Sequence, residues 1–444
     1  MRVNHADYWE VAVNLDPNVP LDTGTMDLYV DTSEARGDVT QDDLLRALGI
    51  DATQTLRRPM ERQYILFTSH LGGGKSTELR RLSQLLHDPQ RYFVVFVDAV
   101  EQLNPNNLHD TDILLKQADL LCAMLAGQGV MIDDVHLYTL KEWFKQRIIV
   151  RLNERASSLE LTAGLEAKAG IGWLGGLFAK LTSAVKFGTT FREEIRSETK
   201  NHLEEFAAGF NQLIRAANAA LQRQQLGQRV LFMVDGTDRM PYADMERFFV
   251  TDFSELQRIE ATFIYCTQVH LLYQHNFLQQ RFHYIHRVPM LKIHQRGSDD
   301  FWPPALETMR AMVYKRVAPS LFDSEETVDY LIRYSGGHPR DLVRLLELTR
   351  IKTRSEIFTR EAAEKAVRDM AADFLRFLQG KDYDLLVRID SQDAQNTQEA
   401  EEGTHKLLHT LALLEYNNLW WRSHPLVRTL PGYQKRMHST HVAG

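Results

Sequence analysis

Two rhythms of apolar and polar positions alternate along this chain. Five short, nearly continuous apolar runs recur through its first two-thirds: Tyr64–Thr68, "RYFVVFVDA" at 91–99, "RVLFMVDGTDRM" at 229–240 with its apolar stretch Val230–Val234, "ATFIYCTQ" at 261–268 and "YIHRVPML" at 284–291. Runs of this length, rich in β-branched and aromatic residues, predict buried strands. Between them apolar residues recur at helical spacing. The predicted helices are Thr40–Leu48, capped by Thr40 with Asp42 and Asp43 in its first turn, Ser76–Leu86, Asp110–Gly127, Leu137–Leu152 and Glu193–Gln225. Strands separated by helices predict a parallel α/β sheet. Residues 305–350 and those from 361 onward are helical in pattern. The stretch 407–427, "LLHTLALLEYNNLWWRSHPLV", predicts a helix that passes through Asn417 and Asn418 into an aromatic strand pair, which suits a winged-helix domain. Residues 389–403 read as a solvated loop.

Residues 156–200 break both rhythms, because "LTAGLEAKAGIGWLGGLFAKLTSAVKFGTTF" mixes glycine, alanine and aromatics. Its glycines argue against one stable helix. The expectation is an insertion packed on the protein or on a neighbouring subunit, with an amphipathic membrane-surface segment as the alternative. The predicted organisation is an N-terminal extension at 1–54, an α/β core at 55–295 carrying that insertion, a helical lid at 296–355 and a winged-helix-like domain at 356–444.

Composition narrows the function classes. With 444 residues there is room for two or three domains, and 44% apolar with 25% charged residues is ordinary for a globular protein. A formal net charge of -7 supplies no global basic field for nucleic acid. Two cysteines, Cys122 and Cys266, fall in a helical and a strand-like run, so they read as core thiols and exclude a disulfide framework. The first residues, MRVNHADYWEV, hold no signal-like apolar stretch, and no run of eighteen apolar residues exists. The expected location is the reducing cytoplasm.

The candidate chemistry lies in "YILFTSHLGGGKSTELRRL" at 64–82. Strand, glycine-rich turn and helix is the setting of a phosphate-binding loop, G-x-x-x-x-G-K-[ST]. Gly74, Lys75 and Ser76 fit the motif, while Ser69 stands where its first glycine belongs. That residue begins the turn without touching phosphate, so a β-region Ser69 is tolerable. Gly72, Gly73 and Gly74 let backbone N–H groups turn toward an anion, and the helix N-terminus that carries Thr77 adds donors. Lys75 is then the group that reaches the β- and γ-phosphates of a nucleotide, and Ser76 a ligand for Mg²⁺. A Mg²⁺-ordering acid is also needed at the end of a neighbouring strand. Asp235 ends the third apolar run, and Asp238 lies three residues on, where it can position a water.

With these residues in place, the chain resembles the STAND/NACHT-type branch of the AAA+ P-loop ATPases, close also to origin-recognition initiators. "GGGKST", "LFMVDGTD" and "YSGGHPRDLVRLL" (334–346) carry the resemblance, over roughly residues 55–350. It implies ATP and Mg²⁺ as ligands. It also implies that Thr267 or Gln268 is the polar sensor at the end of the fourth strand. Gly337, His338 and Pro339 match the adenine-packing segment, and Arg340 the sensor-2 arginine. Arg281, with Arg258 as second candidate, stands where an arginine finger is given to a neighbour's site. His424-Pro425 falls where STAND proteins keep a phosphate-sensing histidine, although a plain turn histidine reads as well. Two departures count: Gly236 follows the metal acid directly where many AAA+ enzymes have a catalytic Glu, and Arg239 follows Asp238 where NACHT-type sites continue with an acid. With Asp238 left to activate water, slow turnover and switch behaviour follow.

The resulting expectation is an ATP-dependent switch that forms a homo-oligomer on ATP binding and works with a separate sensor or effector protein, by analogy in antiphage defence. The competing readings are a DNA-bound AAA+ regulator, to which "RTLPGYQKRMH" (428–438) and "HQRG" (294–297) lend basic residues, and a non-hydrolysing scaffold that uses nucleotide for stability.

Overall fold

The computed structural model describes residues 4–22, 24–37, 41–57, 59–149, 170–186, 191–274, 278–392 and 398–443. The five apolar runs form one sheet. Its strands are β1 (Gln63–Ser69), β2 (Tyr92–Asp98), β3 (Arg229–Asp235), β4 (Thr262–Gln268) and β5 (Tyr284–Arg287). All pair in parallel in the order β2-β3-β4-β1-β5, so β4 lies between the strand that leads into the glycine loop and the strand that ends at Asp235. β1 and β4 are buried along their whole length. This explains why they read as continuous apolar runs without alternation. β5 is shorter than its apolar run, which reaches Leu291 and contains Pro289.

One face of the sheet packs Tyr64, Phe232, Phe263 and Tyr265 against helices Asp110–Gly127, Asp134–Phe144, Gly170–Lys186 and Leu203–Arg223. The other face packs Ile65, Phe67, Leu231 and Ile264 against Leu79, Leu82 and Leu86 of helix Lys75–Leu86 and against Leu44 and Leu45 of helix Gln41–Ala47. The cap assigned to Thr40 lies outside the described residues, as do 156–169 and 187–190 of the irregular segment. The described part of this segment holds one helix, Gly170–Lys186, and the start of another, Phe191–Asn201, packed on the protein. Ile171, Leu174, Leu177, Phe178 and Leu181 are buried on the inner side of the first. A Cβ on Gly175 would lie 3.3 Å from Cys122 Cβ, so glycine here lets two helices approach closely. The helix predicted over Glu193–Gln225 is two, Phe191–Asn201 and Leu203–Arg223. That predicted over Leu137–Leu152 begins at Asp134 and gives way to a π-helical turn at Lys145–Ile149.

The C-terminal region is helical: Pro303–Tyr314, Glu325–Ser335, Pro339–Lys352, Arg360–Phe374, Gly380–Ser391, Thr404–His409 and Pro431–Ala443. It carries one antiparallel hairpin, β6 (Leu413–Tyr416) and β7 (Trp420–Ser423), turned by Asn417–Leu419. Its core also takes in Tyr8, Val11, Leu15 and Ala35, so the N-terminal segment packs on the C-terminal helices. Among the described residues no helix is long and apolar enough to cross a membrane. Parallel sheet, glycine loop and helical C-terminal region together define an α/β P-loop NTPase fold.

Candidate functional site

β1 ends at Ser69, and the chain then turns through His70–Gly74 into the helix that begins at Lys75. Gly72 and Gly74 have φ of +86° and +96°, values that L side chains rarely adopt. Gly73 is required for a different reason: a Cβ there would stand 2.3 Å from Ser69 Oγ. The loop opens on a cavity of about 1560 Å³ lined by Gly72, Gly74, Lys75, Ser76 and Thr77, by Asp238 and Arg239, and by Pro339 and Arg340. The N-terminal segment covers it. Thr77 Oγ1 accepts from Leu21 N at 3.2 Å, and Arg340 Nε donates to Pro17 O at 3.2 Å.

Lys75 is 3% exposed, so its side chain is buried beneath the loop. Its ammonium lies 2.8 Å from Asp238 Oδ2 and donates to the carbonyls of Ser69 and His70 at 3.2 and 2.8 Å. Ser76 Oγ donates to Asp235 Oδ1 at 3.0 Å, and Gly236 N donates to the same oxygen at 2.8 Å. Burial, reinforced by the Asp238 charge, pushes the Asp235 carboxyl up to about 6. Burial pushes Asp238 the same way, but the adjoining Lys75 charge overcomes it and holds this carboxyl below its ordinary value. Two neighbouring acids are thus driven apart, one ready to accept a proton and one held ionised. Hard oxygens on Ser76 and Asp235 at this spacing fit Mg²⁺. Cys266 Sγ lies 3.6 Å from an oxygen of each acid, and burial raises its thiol well above the ordinary range, so it is a soft, protonated neighbour.

The two alternatives for the sensor part company. Thr267 is buried, and its hydroxyl meets Met245 Sδ at 3.4 Å on the face turned away from the loop. Gln268 Nε2 donates to Asp238 O at 2.7 Å. The arginines divide too. Arg340 lines the cavity at the start of helix Pro339–Lys352, with its N 3.4 Å from Gly72 O. Arg281 precedes β5 and Arg258 precedes β4, at the ends of the strands opposite the loop. Arg281 donates to the carbonyls of Val250 and Phe249, and Arg258 pairs with Glu204 at 2.6 Å. Neither is brought to this chain's own cavity.

His338 packs on the loop itself, while Gly337 packs on the segment that follows β5. His338 Nε2 lies 2.9 Å from Leu71 O, and a Cβ on Gly337 would overlap Leu291 O at 1.9 Å. His424 is fully buried. Its Nε2 is 3.1 Å from Asp341 Oδ2, and its Nδ1 accepts from Leu426 N, so it caps the turn at Pro425–Arg428 and does not face the cavity. The buried carboxyl of Asp341 joins the two histidines, with His338 Nδ1 3.2 Å from the same oxygen.

Three residues escaped the sequence reading. His70, inside the loop, accepts at Nε2 from Glu415 N at 2.8 Å and lies with Nδ1 3.2 Å from Leu408 O, so β6 and helix Thr404–His409 dock directly on the phosphate loop. His409 Nδ1, 3.2 Å from Gln268 Oε1, extends the same contact. The available signal was a histidine in a loop position that motif matching leaves free. Arg36, from the N-terminal segment, donates through Nη2 to Gly73 O at 2.9 Å, and nothing in its sequence neighbourhood marks it.

No family model matches the chain, and no curated protein sequence matches it either. Among solved structures, that of Cdc6p from Pyrobaculum aerophilum is similar at 11% identity, covering 93% of this chain and 99% of that one, with a TM-score of 0.34. The fold assignment rests on the sheet order and loop geometry described above.

Proposed function

We propose that this chain is a slowly hydrolysing ATPase of the AAA+/STAND kind, which uses nucleotide to set the position of its C-terminal region and its association with partner subunits. The observation that carries this reading is the meeting of Lys75, Ser76, Asp235 and Asp238 at the mouth of a glycine loop whose other side is held by the C-terminal region. Gly72–Gly74 and the helix N-terminus present N–H groups to phosphate oxygens. Lys75 leaves Asp238 to neutralise those oxygens, and the released Asp238 carboxylate orients a water held near Gln268. Ser76 and, through water, Asp235 would hold Mg²⁺, which supplies charge neutralisation on the phosphates. Arg340 and Arg239 line the same cavity and supply positive charge in cis. His70, Leu71 and Gly72 are bonded to the C-terminal region, so a loop rearranged around phosphate changes that docking.

The test is titration of the full chain with MgATP beside single-turnover hydrolysis. Wild type binds and hydrolyses slowly, Lys75→Ala loses most affinity, Asp235→Asn loses the Mg²⁺ dependence of binding, and Asp238→Asn binds but turns over at least tenfold slower. A Lys75→Ala variant that titrates like wild type would place the nucleotide elsewhere.

A further inference from the structure

Arg36 is 5% exposed, yet among the described residues no ion pair joins it to a carboxylate. Its three recorded acceptors are neutral: Thr32 Oγ1 at 2.9 Å from Nε, Pro289 O from Nη1, and Gly73 O at 2.9 Å from Nη2. Glu78, whose charge acts on Arg36 at longer range, is bonded to Tyr29 and Arg81 at 3.1 Å each. A guanidinium buried among neutral acceptors is unfavourable unless something else balances its charge. Arg36 also lines the cavity that holds Lys75, and a Cβ on Gly74 would lie 3.3 Å from its Nη2.

The Gly73–Gly74 peptide is planar and trans, so its C=O and N–H point to opposite sides. Holding the Gly73 carbonyl toward Arg36 turns the Gly74 N–H the other way, into the loop. We propose that Arg36 is a positioning residue of the phosphate loop: it fixes the Gly73–Gly74 peptide so that its N–H faces a bound polyphosphate, whose charge in turn balances the buried guanidinium. This rests on the nucleotide reading above. It makes the N-terminal segment part of the anion site, because Arg36 is bonded to both Thr32 and Gly73.

The experiment uses the full chain, with MgATP affinity and unfolding temperature measured for wild type, Arg36→Met, Arg36→Lys and Arg36→Ala. Arg36→Met keeps or raises the unfolding temperature without nucleotide, because an apolar chain replaces an unbalanced buried charge. It binds MgATP about 10- to 100-fold more weakly, the worth of one charged hydrogen bond. Arg36→Lys falls between, and methylguanidinium restores affinity to Arg36→Ala at least severalfold, a rescue that a packing role elsewhere would not give. If wild type binds MgATP and Arg36→Met binds it within twofold, the Arg36 assignment is overturned and the nucleotide reading stands. Should Arg36→Met fail to fold, an Arg36→Lys variant with wild-type affinity overturns it equally. A folded wild type that ignores MgATP removes both.

Discussion

Lys75 and Asp238 allow a test that needs no nucleotide. Their charged atoms are 2.8 Å apart, with side chains 2% and 6% exposed. At an effective dielectric constant of about 20 their attraction is roughly 6 kcal/mol, much of it offset by the loss of hydration of both groups. Removing one partner leaves the other charge unpaired in the interior, which costs about 3–5 kcal/mol. Lys75→Ala therefore destabilises the nucleotide-free protein at neutral pH. The sign with pH follows from the direction of the shift. Lys75 holds the folded Asp238 carboxyl below its unfolded value, so the stabilisation is present above about pH 4 and is lost as pH falls through that depressed value. In Lys75→Ala only the weaker effects of the Arg239 charge and the Cys266 hydrogen bond still oppose burial, so Asp238 takes up a proton more readily. The deficit relative to wild type is then largest near pH 8 and shrinks toward pH 5. Urea unfolding of wild type, Lys75→Ala, Asp238→Asn and the double variant gives the coupling. The double variant is more stable than Lys75→Ala alone at pH 8, by about 2 kcal/mol or more. A Lys75→Ala protein as stable as wild type at pH 8, or one equally destabilised at both pH values, would refute the argument.

Three further predictions follow from other parts of the structure. Burial holds His286 down to about 4, so the unfolded chain takes up a proton between about pH 6.5 and 4 that the folded chain refuses. Stability is lost over that window, and His286→Leu removes up to about 3 kcal/mol of the acid-induced loss in urea unfolding at pH 7 and 4.5. Arg340→Ala weakens MgATP binding by about tenfold or more, whereas Arg281→Ala leaves affinity per folded molecule unchanged and lowers the unfolding temperature; unchanged affinity in Arg340→Ala titrations would overturn the cis assignment of Arg340. Gly337→Ala places a Cβ against Leu291 O at φ +76°, so the C-terminal region undocks and becomes sensitive to limited proteolysis under native conditions; an unchanged digestion pattern would contradict this.

The parts of the molecule legible in the sequence are those where one local pattern determines one structure. β1 through β4 are buried strands of a parallel sheet, and such strands announce themselves as apolar runs whatever surrounds them. Helix Asp110–Gly127 has the bounds its periodicity predicts. The loop glycines are legible because positive φ restricts the residue type. Less legible was anything set by residues distant in the chain. The burial of Lys75 depends on Asp238, more than one hundred and sixty residues later, which its ammonium meets. Gln268 and Thr267 are both polar and adjacent in sequence, and only the pleat of β4 decides which of them faces Asp238. Gly170–Lys186 is a helix against its glycine content because a neighbouring helix at Cys122 rewards the absence of a side chain, and pairwise fit of that kind leaves no periodic trace.

The docking of His70 has a consequence for what a loop motif can be said to specify. In G-x-x-x-x-G-K-[ST] the intervening positions are free, since backbone and not side chain meets the phosphate. Here one of them is spoken for: the His70 ring takes the Glu415 N–H and lies against the Leu408 carbonyl, well over three hundred residues away in the chain. A loop transplanted from a nucleotide-binding protein, matched at every glycine and at Lys75 and Ser76, would preserve the glycine turn and lose the contact with β6 and helix Thr404–His409. Interchangeability of the loop therefore ends at His70, and under the proposed function a chimaera at that position separates holding a nucleotide from reporting it.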